Sequence, residues 1–286
     1  MKKSIKTWGV VLAAAVAAAG LLAGCGSGKS ETAGSSDGGK KVVKVAHTQH
    51  YVPYDYVDDN NQSQGMEVAV MKEVAKKLPQ YEFQFVPTSD DDLLIGVESG
   101  KYDIGTKGVW KTPAREKKYI FTEHPIAASM VGFVIRKEDA SSIKNIDDFA
   151  KNGKKLVPIA PQNAQYQVIK DYNDAHKDHP IELLASENFQ VPDAYSWVME
   201  GRYDGYLNIE LSFKNNVVKD GGAYHKFADQ LAYFRYKAIP TYPLINKKDK
   251  KLAEEVDKAI GELKADGTLA KLENQYFGEE ISRLAQ

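Results

Sequence analysis

The sequence predicts an α/β protein made of two similarly built halves. Apolar runs suited to strands alternate with helical patterns along residues 41–280. The chain crosses between the halves twice, near 131–135 and near 237–242. Residues 41–286 are more than one core usually holds, and they suit two lobes of ordinary size. Two crossings predict a hinge, with a ligand crevice between the lobes.

The first half has the pattern of a βαβαβ unit. Apolar runs predict strands at 42–46, 81–85 and 102–105, and periodic patterns predict helices at 66–78 and 90–100. Such a unit forms a parallel sheet, because each helix returns the chain to the same end of the sheet. The loops that follow the strands are expected to meet in a crevice.

The second half repeats this build. Its elements are predicted as strands at 130–135, 155–160, 181–184 and 203–207, with helices at 143–149, 165–172 and 194–200. The chain returns through 227–233 and 242–245, and helices are predicted at 252–263 and 266–278. The prediction is therefore two sheets of parallel type joined by a two-strand hinge.

Residues 1–24 have the pattern of a secretory signal peptide, with three lysines at the start. The apolar run Val10–Ala23 is too short to span a membrane. It leads into Leu-Ala-Gly-Cys at 22–25, which resembles the lipobox at which bacterial lipoproteins are lipidated and cleaved. Residues 25–40 therefore predict a lipidated Cys25 followed by a flexible Gly- and Ser-rich tether. The alternative for this cysteine is a buried free thiol.

Composition excludes several classes of function. The 38 basic and 39 acidic residues give a net charge of −1, and loss of the signal peptide with its three lysines makes it −4. A negative chain argues against nucleic acid and against a polybasic membrane surface. A single cysteine excludes an internal disulfide and a cysteine-rich zinc site. The six histidines are scattered, with no pair at ligand spacing on a helix, so neither a metal nor a cofactor is predicted.

The stretch Gly108–Phe121 contains the most informative motif. It follows the predicted strand 102–105, and Thr112-Pro113 has the pattern of a helix start, with Thr as N-cap and Pro at the first helical position. Arg115 would then lie in the first turn, where a cation conflicts with the positive end of the helix. A bound carboxylate would relieve that conflict. The alternative is a solvated arginine on a basic helix end.

These pieces, in this order, resemble the bacterial extracellular solute-binding proteins of family 3, the receptors of polar amino-acid ABC transporters. The resemblance covers nearly all of residues 41–280. Its motifs are Tyr-Val-Pro-Tyr at 51–54, Gln-Gly-Met-Glu-Val at 64–68, Lys-Thr-Pro-Ala-Arg-Glu-Lys-Lys-Tyr-Ile-Phe at 111–121, Gly-Arg-Tyr-Asp-Gly at 201–205, and Asp-Gly-Thr-Leu at 266–269 with Tyr-Phe-Gly at 276–278. Leu-Pro-Gln-Tyr-Glu-Phe at 78–83 and Arg-Glu-Lys-Lys at 115–118 are most similar to cystine and sulfur-amino-acid receptors.

The resemblance implies a two-lobed, type II periplasmic-binding-protein-like fold. Lobe 1 is expected to comprise residues 41–131 plus 242–286, and lobe 2 residues 132–241. In lobe 2, Gln162 and Asn163 stand where the family has a Gly-Thr pair. Their side-chain amides are expected to serve where backbone N–H groups usually bind the ligand.

The resemblance also implies ligand-binding roles in lobe 1. Arg115 matches the residue that binds the ligand's α-carboxylate, and Tyr51 matches the aromatic residue that covers its side chain. Gly108 matches the residue whose carbonyl receives the ligand's ammonium group. Trp110 stands where the family often has Ser or Thr, and with Lys111 beside it completes the predicted lobe 1 site. The alternative is that Tyr51 and Trp110 are core aromatics.

Two positions depart from the family's pattern for the ammonium group. Thr48 stands where many members have Asp, and Ile209 where many have the Asp of the second lobe. A buried ammonium without a counter-charge is costly. Glu210, or the uncharged acceptor Asn208, is therefore predicted as the substitute, the alternative being that both are ordinary loop or helix-cap residues.

The function implied by the resemblance is a membrane-anchored, extracellular substrate-binding protein of an amino-acid ABC importer. It would capture an amino acid, such as cystine or another sulfur amino acid, by hinge closure between the lobes. A permease and its ATPase are the implied partners, and a monomer is expected. No catalytic residues are predicted. Two alternatives remain open: an enzyme on this fold, which needs an acid/base pair in the crevice, and a surface adhesin or sensor.

Overall fold

The computed structural model describes residues 39–186 and 191–285, so the predicted signal peptide, Cys25 and almost all of the tether lie outside the described residues. The strands are β1 Lys41–Thr48, β2 His50–Tyr51, β3 Asp55–Val57, β4 Ser63–Gln64, β5 Tyr81–Thr88, β6 Ile104–Thr106, β7 Tyr119–Phe121, β8 Ala127–Arg136, β9 Gly205–Ile209, β10 Leu231–Thr241 and β11 Leu244–Asn246. The α-helices are α1 Met66–Lys77, α2 Asp90–Ser99, α3 Pro113–Glu116, α4 Ile146–Lys151, α5 Ala164–Ala175, α6 Val191–Met199, α7 Glu210–Phe213, α8 Lys250–Ala265 and α9 Thr268–Phe277.

The first sheet has the strand order β5-β1-β6-β11-β7. Strand β1 pairs in parallel with β5 and β6, so the predicted βαβαβ unit is confirmed. Strand β11 pairs antiparallel with β6 and β7. The carboxyl ends of β1, β5 and β6 therefore meet at one edge of this sheet, and the loops that leave them lie side by side.

The second sheet has the order β10-β8-β9, and both of its pairings are antiparallel. This differs from the parallel sheet predicted for the second half. The predicted strands at 155–160 and 181–184 are reduced to single parallel bridges, Leu156 with Gly205 and Ile159 with Ala185. Pro158 and Pro161 explain the interruption, because proline has no N–H to donate to a β-ladder.

Strands β8 and β10 carry the chain between the two sheets. They pair over their whole length, from Leu231 opposite Arg136 to Thr241 opposite Ala127, with one irregularity between Arg235 and Lys237. The predicted crossings near 131–135 and 237–242 fall in this pair. We call the body around the first sheet lobe 1 and the body around the second sheet lobe 2. The lobe boundaries that the sequence suggests, after residues 131 and 241, stay predictions.

The predicted C-terminal helices are confirmed as α8 and α9, and both pack against α1 in lobe 1. Their apolar residues share one face and are buried, including Leu252, Val256 and Ile260. In lobe 2, Phe133 of β8 is fully buried and stacks on Phe234 of β10, with ring centroids 5.0 Å apart. Among the described residues, none of the helices has the length and apolar composition that a membrane span requires.

Candidate ligand-binding site

A cleft of about 730 Å³ opens between the two lobes. Its lobe 1 wall comes from the segments that follow β1, β5 and β6, and its lobe 2 wall from the start of α5, from β9 and from α7. The lining residues are Thr48, Gln49, His50, Tyr51, Thr88, Ser89, Asp90, Lys107, Gly108, Trp110 and Arg115 in lobe 1, and Asn163, Ala164, Gln165, Tyr206, Asn208, Ile209 and Ser212 in lobe 2.

Seven of the ten predicted ligand-binding residues line this cleft: Thr48, Tyr51, Gly108, Trp110, Arg115, Asn163 and Asn208. They come from four separate stretches of the chain, and the topology brings them together. A crevice at the carboxyl ends of parallel strands is where α/β folds bind ligands. The structure gives these residues a common location, while their individual roles stay predictions.

A second cavity, of about 630 Å³, adjoins the cleft, because Arg115 and Asn163 line both. Its walls come from α2, α3 and the loop before α5, and Gln162 lies here rather than in the cleft. The strand ends and the aromatic residues Tyr51 and Trp110 lie in the first cleft alone. That cleft is therefore the stronger candidate for ligand binding.

Lys111 and Glu210 line neither cavity. The Lys111 ammonium lies 5.3 Å from the centre of the Tyr242 ring and 5.8 Å from that of Phe121. Both oxygens of Glu210 are engaged in ion pairs, one 3.2 Å from Lys214 and the other 2.7 Å from Arg235. Glu210 is therefore neutralised by protein cations in this conformation and is not available to a ligand ammonium.

Arg115 occupies the position that the sequence predicted. Thr112 caps α3, its hydroxyl accepting the Arg115 N–H at 3.3 Å, and Pro113 begins the helix. The guanidinium donates one hydrogen bond, from Nη1 to the Trp110 carbonyl at 2.9 Å. Among the described residues, no carboxylate lies within 4 Å of it to form an ion pair. Burial lowers the pKa of the Arg115 guanidinium, as expected for a cation removed from water without a counter-charge.

The lobe 1 wall also contains two buried polar atoms without a hydrogen-bond partner among the described residues. These are the Thr48 hydroxyl oxygen and the Trp110 indole nitrogen. Both residues are 4% exposed. A buried donor or acceptor left unpaired costs about 1–3 kcal/mol, so such atoms are unusual where no ligand or solvent partner is needed.

Gly108 and Tyr51 determine the shape of this wall together. Gly108 has φ +63°, and a Cβ at this position would lie 2.8 Å from Cε1 of Tyr51. A side chain would therefore be strained and would displace the ring. The Tyr51 ring also stacks on Tyr54, with centroids 4.7 Å apart. Burial raises the pKa of the Tyr51 hydroxyl well above its usual range, so the ring stays neutral.

The lobe 2 wall is built differently. Asn208 already donates to the Tyr195 hydroxyl at 3.0 Å and accepts from the Ile209 N–H at 2.8 Å, so its amide is occupied within the protein. Asn163 precedes α5 as its N-cap residue, yet its side chain makes no capping hydrogen bond. The Tyr166 N–H donates to the Asn163 carbonyl at 3.0 Å, so the N–H groups of Ala164 and Gln165 and the Asn163 side-chain amide are the donors available at this part of the cleft.

The cleft holds one carboxylate among the described residues that line it, Asp90. The Lys107 ammonium pairs with it at 2.6 Å. The sequence analysis did not select either residue for the site, although a usable signal existed. Asp90 lies two residues after the end of β5, and Lys107 directly follows β6, so the rule that parallel strands end at one edge would have included both. Among the described residues, no group of three His, Cys, Asp or Glu side chains could hold a metal ion.

Comparison with known proteins identifies the relatives of this chain. The family model for bacterial extracellular solute-binding proteins, family 3, matches residues 43–279. The probable amino-acid-binding protein YxeM of Bacillus subtilis (strain 168) is 30% identical over 279 residues, which is 97% of each chain. The L-cystine-binding protein TcyK of the same strain is 24% identical over 267 residues, 92% of this chain and 93% of TcyK.

A solved structure agrees with the fold. The probable amino-acid ABC transporter extracellular-binding protein ytmK from Bacillus subtilis superposes with a TM-score of 0.65 at 21% identity, over 84% of this chain and 99% of that one. The predicted two-lobed, type II periplasmic-binding-protein-like fold class is confirmed. Since the family model matches far more than half of the sequence, the chain belongs to the bacterial extracellular solute-binding proteins of family 3.

Proposed function

We propose that this protein is the membrane-anchored substrate-binding protein of an amino-acid ABC importer. It captures an amino acid, cystine or another sulfur amino acid, between its two lobes and closes over it by hinge motion about β8 and β10. The names of the relatives TcyK and YxeM support the ligand class, since they describe an L-cystine-binding and a probable amino-acid-binding protein.

One observation carries the proposal: a half-buried arginine lines the cleft without a carboxylate partner among the described residues. Arg115 donates one guanidinium N–H to the Trp110 carbonyl, so its other guanidinium N–H groups remain to bind a ligand. A bidentate carboxylate matches that geometry and supplies the missing counter-charge. The uncapped N-terminus of α5, on the opposite wall, adds further N–H donors when the lobes close.

The ammonium group of an amino acid requires an acceptor in the same cleft. Thr48 and Ile209 offer no charge, and Asn208 and Glu210 are engaged by other protein groups. Asp90 is the carboxylate that lines the cleft among the described residues, and its present partner is Lys107. We propose that the ammonium group of the ligand binds between Asp90 and the Gly108 backbone, and that Lys107 is displaced toward solvent. Tyr51 and Trp110 then cover the side chain.

The closed form is proposed to be the form that docks productively on the permease and its ATPase, so that the ligand acts as the switch. The lipidated Cys25 and the tether would hold a monomeric receptor at the outer face of the membrane. Replacing Cys25 with Ser is expected to release the protein from the membrane fraction of producing cells. Retention of the variant in that fraction would argue against lipidation.

The experiment that tests the proposal is calorimetric titration of the wild type with a panel of amino acids that includes L-cystine. Arg115→Ala is expected to weaken the best ligand by at least ~3 kcal/mol, the scale of breaking a buried charge pair. This corresponds to more than about 100-fold in Kd. The control is Arg202→Ala, because Arg202 is exposed, lines neither cavity and lies with its guanidinium 4.6 Å from the centre of the Trp197 ring.

Unchanged affinity in Arg115→Ala, or equal losses in both variants, would refute the assigned site. Two further measurements separate the alternatives. Recovery of chemically altered ligand after incubation would indicate an enzyme. The absence of any amino-acid-induced rise in Tm, together with normal surface display, would favour an adhesin or sensor.

A further inference from the structure

Two carboxyl side chains are buried behind the lobe 1 wall of the cleft. Asp55 of β3 and Glu67 of α1 are both 0% exposed, and the Glu67 N–H donates to the carbonyl of Tyr54, the residue before Asp55, at 3.1 Å. The two carboxyl groups therefore lie near each other, and each acts on the pKa of the other. Neither lines the cleft or the adjoining cavity, and neither belongs to the predicted ligand set. Buried acidic residues are rare unless they are paired, so this arrangement requires an explanation.

The hydrogen-bond donors around Asp55 and Glu67 indicate that the two carboxyl groups share a proton. Glu67 accepts from the Gly108 N–H at 2.9 Å with Oε2, and from the Thr241 hydroxyl at 2.6 Å with Oε1. Asp55 accepts from the Thr106 hydroxyl at 2.9 Å with Oδ1. Its Oδ2 is buried, and no N–H or hydroxyl donor among the described residues reaches it. Two adjacent carboxyl groups can hydrogen-bond to each other only if one of them carries a proton, and the Asp55 Oδ2 atom, which has no other partner among the described residues, is the atom placed to carry it.

Among the described residues, no Lys, Arg or His side chain lies within ion-pair distance of either carboxyl group. The groups that face the pair are Tyr51 and Tyr54 from the preceding loop and Asp90 from α2, which is itself paired with Lys107. Glu273 from α9 acts on Tyr54 and adds a further negative group nearby. Burial, then the charge of Glu67, raises the pKa of Asp55 well above its usual range. Burial likewise raises the pKa of Glu67.

Through its partners, Glu67 links the cleft to the hinge. Gly108 belongs to the cleft wall, and Thr241 is the last residue of β10, where the hinge strand returns to lobe 1. We propose that Asp55 and Glu67 are positioning residues that share one proton, hold the Gly108 backbone in its ligand-binding place against the end of β10, and release it when that proton is lost. This inference rests on the ligand-binding role proposed for the cleft.

The sign of the expected pH dependence follows from the geometry. Loss of the proton leaves two adjacent buried carboxylates, whose repulsion pulls Glu67 away from the Gly108 N–H. Because Asp55 holds its proton more tightly in the folded protein than in the unfolded chain, its contribution to stability is fully present in acid. That contribution is lost as the pH rises through the folded-state pKa of Asp55. Ligand affinity is expected to fall over the same alkaline range.

The test compares the wild type with Asp55→Asn from about pH 6 to about pH 10, a range that spans an upward-shifted carboxyl group. Asparagine keeps the shape and donates an N–H to Glu67 at every pH. L-cystine is the calorimetric probe, and its own titration is the same for both proteins. The wild type is expected to lose about 10-fold or more in affinity relative to the variant at the alkaline end, a factor that corresponds to one pKa unit.

Glu67→Gln provides the second variant, since its amide can donate to Asp55 without a shared proton. It should also remove the alkaline loss, but it should bind more weakly at all pH values, because one of the donors from Gly108 and Thr241 loses its acceptor. Protection of the Gly108 amide from hydrogen exchange, measured without ligand, reports on the same bond. In the wild type this protection should decrease at alkaline pH more than in Asp55→Asn.

The outcomes separate this inference from the proposed function. If the wild type binds L-cystine and both variants show the same alkaline loss as the wild type, the proton-sharing pair is refuted while the receptor function stands. If no amino acid binds the wild type at any pH, the proposed function fails. In that case the protection of the Gly108 amide from hydrogen exchange tests the proton-sharing pair without a ligand. Equal protection profiles in the wild type and Asp55→Asn would refute the pair.

Discussion

The two walls of the cleft are held in place by different means. In lobe 1, Gly108 is bonded to a buried carboxylate, Tyr51 is stacked on Tyr54, and Trp110 is 4% exposed in the hydrophobic core. In lobe 2, Asn163 is exposed and Tyr206 is half-buried. The lobe 1 wall thus presents its aromatic residues from the folded core, whereas the lobe 2 wall combines the buried residues Ala164, Asn208 and Ile209 with more exposed groups at the start of α5 and on β9.

This difference predicts that the two lobes have different roles in ligand binding. A wall built into the core is preorganised, so the ligand loses little affinity to ordering it. A wall made of exposed groups can approach the ligand by rigid-body motion without disturbing the packing behind it. Lobe 1 is therefore expected to bind first and lobe 2 to close. Substitutions of the buried aromatic residues of lobe 1 should affect both stability and affinity, and substitutions of the more exposed lobe 2 groups should affect mainly affinity.

The largest effect that would test this comparison is expected from Trp110→Ala. Removing a buried aromatic side chain from the core costs about 3–5 kcal/mol of the free energy of unfolding. Tyr206→Ala, on the opposite wall, should cost clearly less, because Tyr206 is only half-buried. Denaturant unfolding monitored by circular dichroism measures both. Equal losses would show that the two walls are equally embedded in their lobes.

A smaller effect is expected from Gly108→Ala. The new methyl group meets the Tyr51 ring and imposes a left-handed conformation on alanine, at a cost of about 1–3 kcal/mol. Affinity should fall as well, since the ring and the backbone at the cleft both move. Gly153→Ala is the matched control, because Gly153 has φ +60° but no atom within 4 Å of the added Cβ. The difference in stability between the two variants measures the effect of the contact with Tyr51. If the variants do not differ in stability or affinity, Gly108 and Tyr51 are not tightly packed against each other.

The smallest effect concerns an ion-pair network that bridges the lobes. Arg235 of β10 contacts Glu210 at the start of α7 and also Glu279, which follows α9. We expect Glu279→Gln to shift the equilibrium toward a more open form by at most about 1 kcal/mol. The Arg235 side chain is 39% exposed and that of Glu279 is 35% exposed, so solvent and salt screen the attraction between them. Small-angle scattering without ligand measures the opening, and Glu280→Gln serves as the control.

The network also has a defined pH dependence. The hydrogen bond to Arg235 lowers the pKa of Glu279 below its usual value. The contribution of this contact is therefore present above the ordinary pKa of a glutamate and is lost as the pH falls through the folded-state pKa of Glu279. Opening at acid pH in the wild type, but not in Glu279→Gln, is the expected result. If both proteins open to the same extent at acid pH, Glu279 does not control the opening of the lobes.

Much of the site could be predicted from the sequence because its signals are local. The N-cap of α3 at Thr112 and the placement of Arg115 follow from a few adjacent residues, and the structure has both. The pairing of β1 with β5 and β6 follows from the alternation of strands and helices. Asp90 gave no such local signal, because acidic residues in the first turn stabilise a helix whether or not they bind a ligand.

The second half was harder to predict, since its pairing depends on distant partners. The apolar run at 155–160 resembles a strand, but Pro158 within it and Pro161 after it leave it only two isolated bridges among the described residues. Glu210 appeared available for a ligand ammonium because its neighbours in the sequence do not include Arg235. That cation reaches it from β10, twenty-five residues further along the chain.

The sequence by itself determined the order of elements, the helix starts, the family and the position of Arg115, because these depend on residues close together along the chain or on motifs in a fixed order. Only the tertiary structure decided which buried polar groups meet. The hydrogen bond that the Thr241 hydroxyl donates to Glu67 joins residues 174 positions apart, and Asp55, Thr106 and Gly108 reach the same point from two other segments. Buried polar groups form hydrogen bonds with whichever partners the fold places beside them, and a local sequence pattern does not predict those partners.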